Sequence, residues 1–582
     1  MKRIIFLISL SLLAVCCSKE ANYNEISDND GQAVETPSVG TKTVTFTATV
    51  ENDPVTEGSV ATNGAFTWSN TDEIAVWTSS QKRTATATNI SGSSADFTFT
   101  LEESETISSG AIVVYPESLL TAAGTVTFPT TYTADEAAKS NLALAAEVNG
   151  SSLSFKYLGA VIEATITDVP SIATAIEVTS TEVLTGVHTV SFSEGIPSMA
   201  TSSTAKTITV TPVAGPNTIV LPLPTVADGQ KISYSVKYSS NVLFTRTATK
   251  NVVRSAYFKM KDLTIAPIVY LKSSMTDWTE ENSGAVMSRD GSTYSISLNS
   301  IGNQYATVYV KYPALAGVIK MGPSEDQSTT SSQAFVPGNS TAIKMTALGG
   351  YYFTFNPTTS NFTFSKVSDD VPFYLTLASE SWAYSNTAEF EKVGSGYCLV
   401  TSFSGNAKIY YNEYPASRLT ANTTGSSGDL TTEKDQYIHV DDSNSYLIVF
   451  SLASNKFYVQ YLTGTGLVST AACDNVYFKT LTNPGGYLMT NCTSNNRVWY
   501  YDWTVPNYNS CNGDALSFWV DYKDGQGGDF ELKPANATVH TYGSPTYCNR
   551  DDKTDQWWFT KDQVIRVYVN DTNSNVIFLN LS

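Results

Sequence analysis

Val44-Thr-Phe-Thr-Ala-Thr-Val50 alternates apolar and hydroxyl side chains, one for one. Successive side chains of a strand point to opposite faces, so Val44, Phe46, Ala48 and Val50 share a dry face and the threonines a wet one. The same period of two runs through Ala95-Asp-Phe-Thr-Phe-Thr-Leu101, Lys206-Thr-Ile-Thr-Val-Thr211 and Lys231-Ile-Ser-Tyr-Ser-Val-Lys-Tyr238. Turn pairs recur between such stretches: Asn63-Gly64, Asp228-Gly229, Asp290-Gly291 and Gly349-Gly350. Only Ala134 to Leu142 has a helical pattern. The fold class expected is all-β, a tandem of β-sandwich domains.

The chain has 582 residues, enough for several domains. Lys plus Arg number 35 against 54 Asp plus Glu, a net charge of −19, which disfavours nucleic acid as a partner. Only three histidines occur, at His188, His439 and His540, too dispersed for His-based triads or metal sites. No Gly-x-Ser-x-Gly elbow, His-Glu-x-x-His helix, Walker loop or Rossmann glycine pattern is present. The expectation is therefore no enzyme, no catalytic residue, no cofactor and no metal. Asp521-Tyr-Lys-Asp524-Gly-Gln-Gly-Gly-Asp529 has calcium-type oxygen ligands, but not EF-hand spacing, and reads as an acidic turn.

The N-terminus carries an address. Lys2-Arg3 precede an apolar run from Ile4 to Val15, then Cys16-Cys17-Ser18. This pattern reads as a secretory signal, its apolar run short for a bilayer span. Its ending resembles the lipobox of bacterial lipoproteins, with Cys17 the acylated residue and Cys16 the alternative. That resemblance implies an acyl (palmitate-type) anchor in the cell outer membrane, with the chain facing the exterior. Residues 18–40 are polar and read as a flexible tether.

Residues 41–265 resemble the fimbrillin-like family of type V pilus lipoproteins. The landmarks, in order, are Phe66-Thr-Trp68-Ser-Asn-Thr-Asp72-Glu-Ile74-Ala-Val76-Trp77, Val113-Val-Tyr115-Pro116, Ser154-Phe-Lys-Tyr157-Leu-Gly-Ala160-Val-Ile162 and Val252-Val-Arg-Ser-Ala-Tyr257. The resemblance implies two sandwiches, 41–150 and 151–265. Trp68, Ile74 and Val76 share a parity and read as one core face. Polymerising fimbrillins are cut after a basic residue near the N-terminus; no Arg lies between Arg3 and Arg83, and the chain ends on a hairpin strand, Val576 to Ser582. A tip or stand-alone role is expected rather than a shaft subunit.

Residues 266–582 contain a repeat. Tyr351 to Ser365, Tyr446 to Gln460 and Ile565 to Leu579 each read as strand, Asn/Ser/Thr turn, strand. Each closes one sandwich-sized module: 266–369, 370–463 and 467–582. The modules open alike on Val269-Tyr-Leu-Lys, Phe373-Tyr-Leu-Thr and Val476-Tyr-Phe-Lys. These hairpins resemble those of the starch-binding modules of SusE/SusF-type outer-membrane lipoproteins, which implies carbohydrate binding without catalysis. Gly291-Ser-Thr-Tyr294 and Gly317-Val-Ile-Lys320 carry the first module's match, Ala407-Lys-Ile-Tyr410-Tyr411 the second's.

Sugars are held by aromatic rings on the pyranose face and polar groups at the hydroxyl rim. Seven of nine tryptophans follow residue 265. Trp278 and Trp382, each just after an opening strand, fit stacking or core equally. Trp499, Tyr501 and Trp503 form one stripe, read as core ahead of sugar platform. Adjacent Trp557 and Trp558 must face opposite ways in a strand, leaving one exposed or at an end. Lys320, Tyr410, Tyr411 and Asn412 are rim candidates. Cys473, Cys492, Cys511 and Cys548 crowd the last module and suggest two disulfides, with three pairings open and a four-thiolate zinc site the rival. Two functions are expected from this sequence: non-catalytic binding of a glycan or glycosylated surface, or a fimbrial tip or accessory pilin assembling with pilin subunits by strand donation.

Overall fold

The computed structural model describes residues 40–51, 55–56, 66–134, 142–260, 263–276, 284–324, 332–378, 388–393, 396–414, 417–423, 427–433, 436–441, 445–461, 473–480, 482–491, 498–506, 513–522, 530–534, 546–550, 557–560, 562–570 and 575–580. Apart from turns and loops, their regular elements are strands, with one short 3-10 turn at Glu117–Leu119. The body of the expected helix, 135–141, lies outside them.

Thr41–Val50 pairs antiparallel with Ser94–Glu102 and parallel with Ser152–Tyr157. Those strands close into a barrel with Glu73–Trp77, Lys82–Ser91, Ile112–Tyr115 and Leu144–Glu147. Phe46, Ala48 and Val50 point inward, as their parity requires. Trp68 is 4% exposed and meets Phe66, Phe97, Tyr115 and Phe155 edge to face, with centroids 4.8–5.5 Å apart. Its indole N–H donates to the Ser93 carbonyl. Truncating it to Ala would cost about 3–5 kcal/mol. Asp72 accepts from the Ser69 N–H at 2.7 Å and from the Tyr115 hydroxyl at 3.1 Å, which fixes the turn before Glu73.

Two features of the pairing go beyond the sequence. The sheet of the first unit closes into a barrel that includes Ser152–Tyr157. The units also exchange strands: Thr125–Phe128 pairs with Gly186–Ser193, and Thr131–Thr133 with Thr207–Thr211. Alternation locates strands but says nothing of their partners, which is why neither feature was legible.

Beyond residue 265 come three sheets of one design. The first runs in the order Ala285–Val286, Ile268–Ser273, Gln304–Lys311, Ile319–Pro323, Ser332–Pro337, Asn361–Ser368, Leu348–Asn356, Thr293–Ile301, Ser288–Asp290. Ser332–Pro337 pairs on one side with Ile319–Pro323 and on the other with Asn361–Ser368, so it joins the front layer to the back. Ser427–Thr431 and Thr546–Arg550 do the same in the other two sheets. The three closing hairpins pair as the repeat predicts. One continuous apolar core links residues of the second unit with the 268–368 and 374–461 sheets.

Candidate functional site

The opening strand of each C-terminal sheet has two unlike faces. Val269 and Leu271, Phe373 and Leu375, Val476 and Phe478 are buried. The intervening Tyr270, Tyr374 and Tyr477 remain half-exposed on the other face.

Register brings a second strand alongside. Tyr270 lies opposite Tyr309 and Lys272 opposite Thr307. In the next sheet Tyr374 lies opposite Tyr410 and Thr376 opposite Lys408. In the last, Tyr477 lies opposite Trp519 and Lys479 opposite Ser517. Each sheet thus sets an aromatic pair in register and, two residues along, a lysine–hydroxyl pair. The lysine changes strand in the middle sheet; the pairing does not.

The 268–368 sheet shows the face most fully. In Gln304-Tyr-Ala-Thr-Val-Tyr-Val-Lys311, Ala306, Val308 and Val310 are fully buried, while Tyr305, Tyr309 and Lys311 are half-exposed. Lys320 lies opposite Tyr309, and Lys344 opposite Tyr305. The Lys272 and Lys320 ammoniums lie 5.3 and 5.9 Å from the Tyr309 ring centroid, and that of Lys344 lies 5.8 Å from Tyr305. In the middle sheet the Lys408 ammonium lies 4.7 Å from the Tyr437 ring. Ammoniums against ring faces at these distances hold both side chains in place before any ligand arrives. Burial raises the Tyr410 phenol pKa, Arg418 opposing it, and burial with the Glu389 charge raises that of Tyr374. Both phenols therefore stay protonated near neutrality and can donate.

Ring faces flanked by several N–H and O–H donors match a pyranose, which has an apolar face and a hydroxyl rim. Among the described residues there is no cluster of three or more His, Cys, Asp or Glu side chains able to hold a metal ion. No helix among them is long and apolar enough to cross a membrane.

The residues selected from sequence fare unequally. Lys320 lies on the Tyr309 face. Tyr410 and Tyr411 are 5% and 1% exposed, so neither offers a free ring; the Tyr411 hydroxyl accepts from Gln304 Nε2 at 2.7 Å. Asn412 is buried too, bridging to Asn299. Trp499 and Trp503 are 7% and 4% exposed, and Trp503 packs on Phe478 and Phe559: they are core, not platform. Tyr501, from the same stripe, stacks between Phe478 and Tyr487 at 5.1 and 5.2 Å, and Tyr487 is exposed. The side chains of Trp557 and Trp558 lie outside the described residues, as do Trp278, Trp382, Cys16, Cys17, Cys492, Cys511 and residues 523–529 of the acidic turn. Cys473 and Cys548 are described only as backbone, on strands Cys473–Thr480 and Thr546–Arg550.

The candidates chosen from sequence were mostly tryptophans, and Tyr305, Tyr309, Lys344, Lys408 and Tyr437 were not among them. The signal was there in Tyr305-x-Thr-x-Tyr309-x-Lys311, a polar-aromatic face of period two.

No family model matches the chain, and no curated protein matches it. Among solved structures, SusF from Bacteroides thetaiotaomicron is 12% identical, the match covering 78% of this chain and 98% of that one, with a TM-score of 0.17. A Bacteroides uniformis protein, described as a candidate cell adhesion protein, is 13% identical over 46% of this chain and 97% of that one, with a TM-score of 0.22. Superpositions this loose carry no argument, and the functional reading rests on the faces themselves.

Proposed function

We propose that this chain is a surface-exposed, non-catalytic glycan-binding lipoprotein, held to the outer membrane through Cys17 (or Cys16) and binding through its three C-terminal modules, 266–369, 370–463 and 467–582. One observation carries the reading: the register places an aromatic pair at the same position in all three sheets, and Tyr270, Tyr374 and Tyr477 of those pairs stay half-exposed. A binder with several weak faces gains by avidity on a polymer that repeats its unit. Thr41–Thr49 pairs along one edge with Ser94–Glu102, and Thr47–Val50 pairs on the other with Ser152–Phe155.

The test is affinity electrophoresis of the full chain in gels containing soluble polysaccharides, beside the Tyr309→Ala variant. Loss of one stacking ring should weaken retention about tenfold at that face. A full chain that migrates unretarded through every polysaccharide removes the proposal.

A further inference from the structure

The 268–368 face differs from a neutral sugar platform in one respect, its charge. Four of the five lysines between residues 266 and 369 fall on it: Lys272, Lys311, Lys320 and Lys344. Lys272 is buried beneath the Tyr309 edge of the face; the other three are half-exposed. Among the described residues, Lys311, Lys320 and Lys344 make no ion pair. The described acids of the same module lie elsewhere, Asp290 on the back strand Ser288–Asp290 and Asp369 paired with Lys366. Asp277, Glu280, Glu281, Glu325 and Asp326 are outside the described residues.

Such a concentration is unexpected in a chain of net charge −19. Like charges on one face repel each other, which opposes what their contacts with the Tyr305 and Tyr309 rings contribute. Screening limits an approaching ligand to charges within roughly 8 Å at physiological salt, and the described charges on this face are these lysines. The rings remain available between the ammoniums, with Tyr309 between Lys272 and Lys320 and Tyr305 beside Lys344.

We infer that the 266–369 module takes an anionic glycan, one whose pyranose rings carry carboxylates or sulfate esters. This rests on the glycan reading above and narrows it. Tyr305 and Tyr309 supply ring stacking; Lys311, Lys320 and Lys344 supply charge-assisted hydrogen bonds to the anionic substituents. No bond is made or broken.

The experiment compares retention of the full chain by polygalacturonate (carboxylate), dextran sulfate (sulfate ester) and plain dextran. Binding to at least one polyanion about tenfold tighter than to dextran is expected, and weakening as salt rises from about 0.05 to about 0.5 M. Which polyanion binds identifies the anionic group. The double variant Lys320→Gln/Lys344→Gln should lose that preference while keeping its melting temperature; Lys320→Arg/Lys344→Arg should keep both. Equal retention by dextran and both polyanions, or a double variant with undiminished preference, overturns the inference and leaves the glycan reading standing. Retention by no polysaccharide removes both. Preference for phosphatidylglycerol vesicles over all three polymers overturns the anionic-glycan assignment in favour of a lipid surface.

Discussion

Glu51 ties the barrel to the unit that follows it, and its removal should loosen both. Its Oε1 accepts from Arg254 at 2.7 Å, from the Ser255 hydroxyl at 2.8 Å and from the Tyr157 N–H at 2.9 Å, while Lys156 lies 3.4 Å from Oε2. Three such bonds, two of them between neutral donors and a carboxylate, would gross about 4–6 kcal/mol. The Glu51 and Arg254 side chains are 14% and 26% exposed, so water can replace part of what is lost. The net cost of Glu51→Ala is then about 2–3 kcal/mol. For a unit of this size that corresponds to about 5–10 °C in melting temperature. The pH dependence has a definite sign. Burial works to raise the Glu51 pKa, but Arg254, the Tyr157 N–H and Ser255 outweigh it and hold it below the ordinary 4.5. A depressed folded-state value stabilises the protein above the unfolded pKa, and that contribution is lost as pH falls through the folded one. Scanning calorimetry of wild type and variant between neutral pH and about pH 3 should show the gap narrowing only below about pH 4.5. A variant melting within about 1 °C of wild type at neutral pH, or a gap constant over the whole range, would refute the reasoning.

Three further outcomes follow from buried groups. His188 is 1% exposed against Phe128, and burial lowers its pKa, opposed by the Gly186 carbonyl; its contribution is complete above about pH 6.5 and declines as pH falls toward the lowered value. The drop in melting temperature from pH 7.5 to 5.5 should therefore be smaller in His188→Leu than in wild type, and an equal drop would reject the assignment. Asn412 accepts from the Asn299 N–H at 2.8 Å and donates to the Asn299 carbonyl at 2.9 Å and to Ser417 at 3.0 Å, joining the 268–368 and 374–461 sheets. Asn412→Ala should cost about 2–4 kcal/mol, read as a lower denaturant midpoint at unchanged slope. Gly159 approaches the opposite backbone so closely that an added Cβ would sit 2.1 Å from the Leu223 carbonyl oxygen. Gly159→Ala should lose about 3 kcal/mol or more, and a wild-type melting curve for it would show that the strands can separate freely.

The hairpins closing the last three sheets were legible because a hairpin is local: its strands and turn are contiguous, and alternation assigns their faces. The core role of Trp68 was legible for the same reason, from its parity with Ile74 and Val76. The sugar-stacking candidates were chosen by residue type, and type does not report depth. Trp499 and Trp503 lie on Val498–Thr504 with side chains turned into the core, Trp503 against Phe478 and Phe559, whereas Tyr305 and Tyr309 stay half-exposed.

Alone, the sequence determined that this protein is built of strands, that its C-terminal part repeats, and that its three histidines lie far apart along the chain. Those properties depend on period, spacing and composition, which are properties of neighbouring residues. Tertiary structure decided that the first unit closes into a barrel, that it trades strands with the second, and that Tyr309 stands beside Lys320. Each of those depends on which distant strands pair and in what register, and register is set by the packing of the whole sheet.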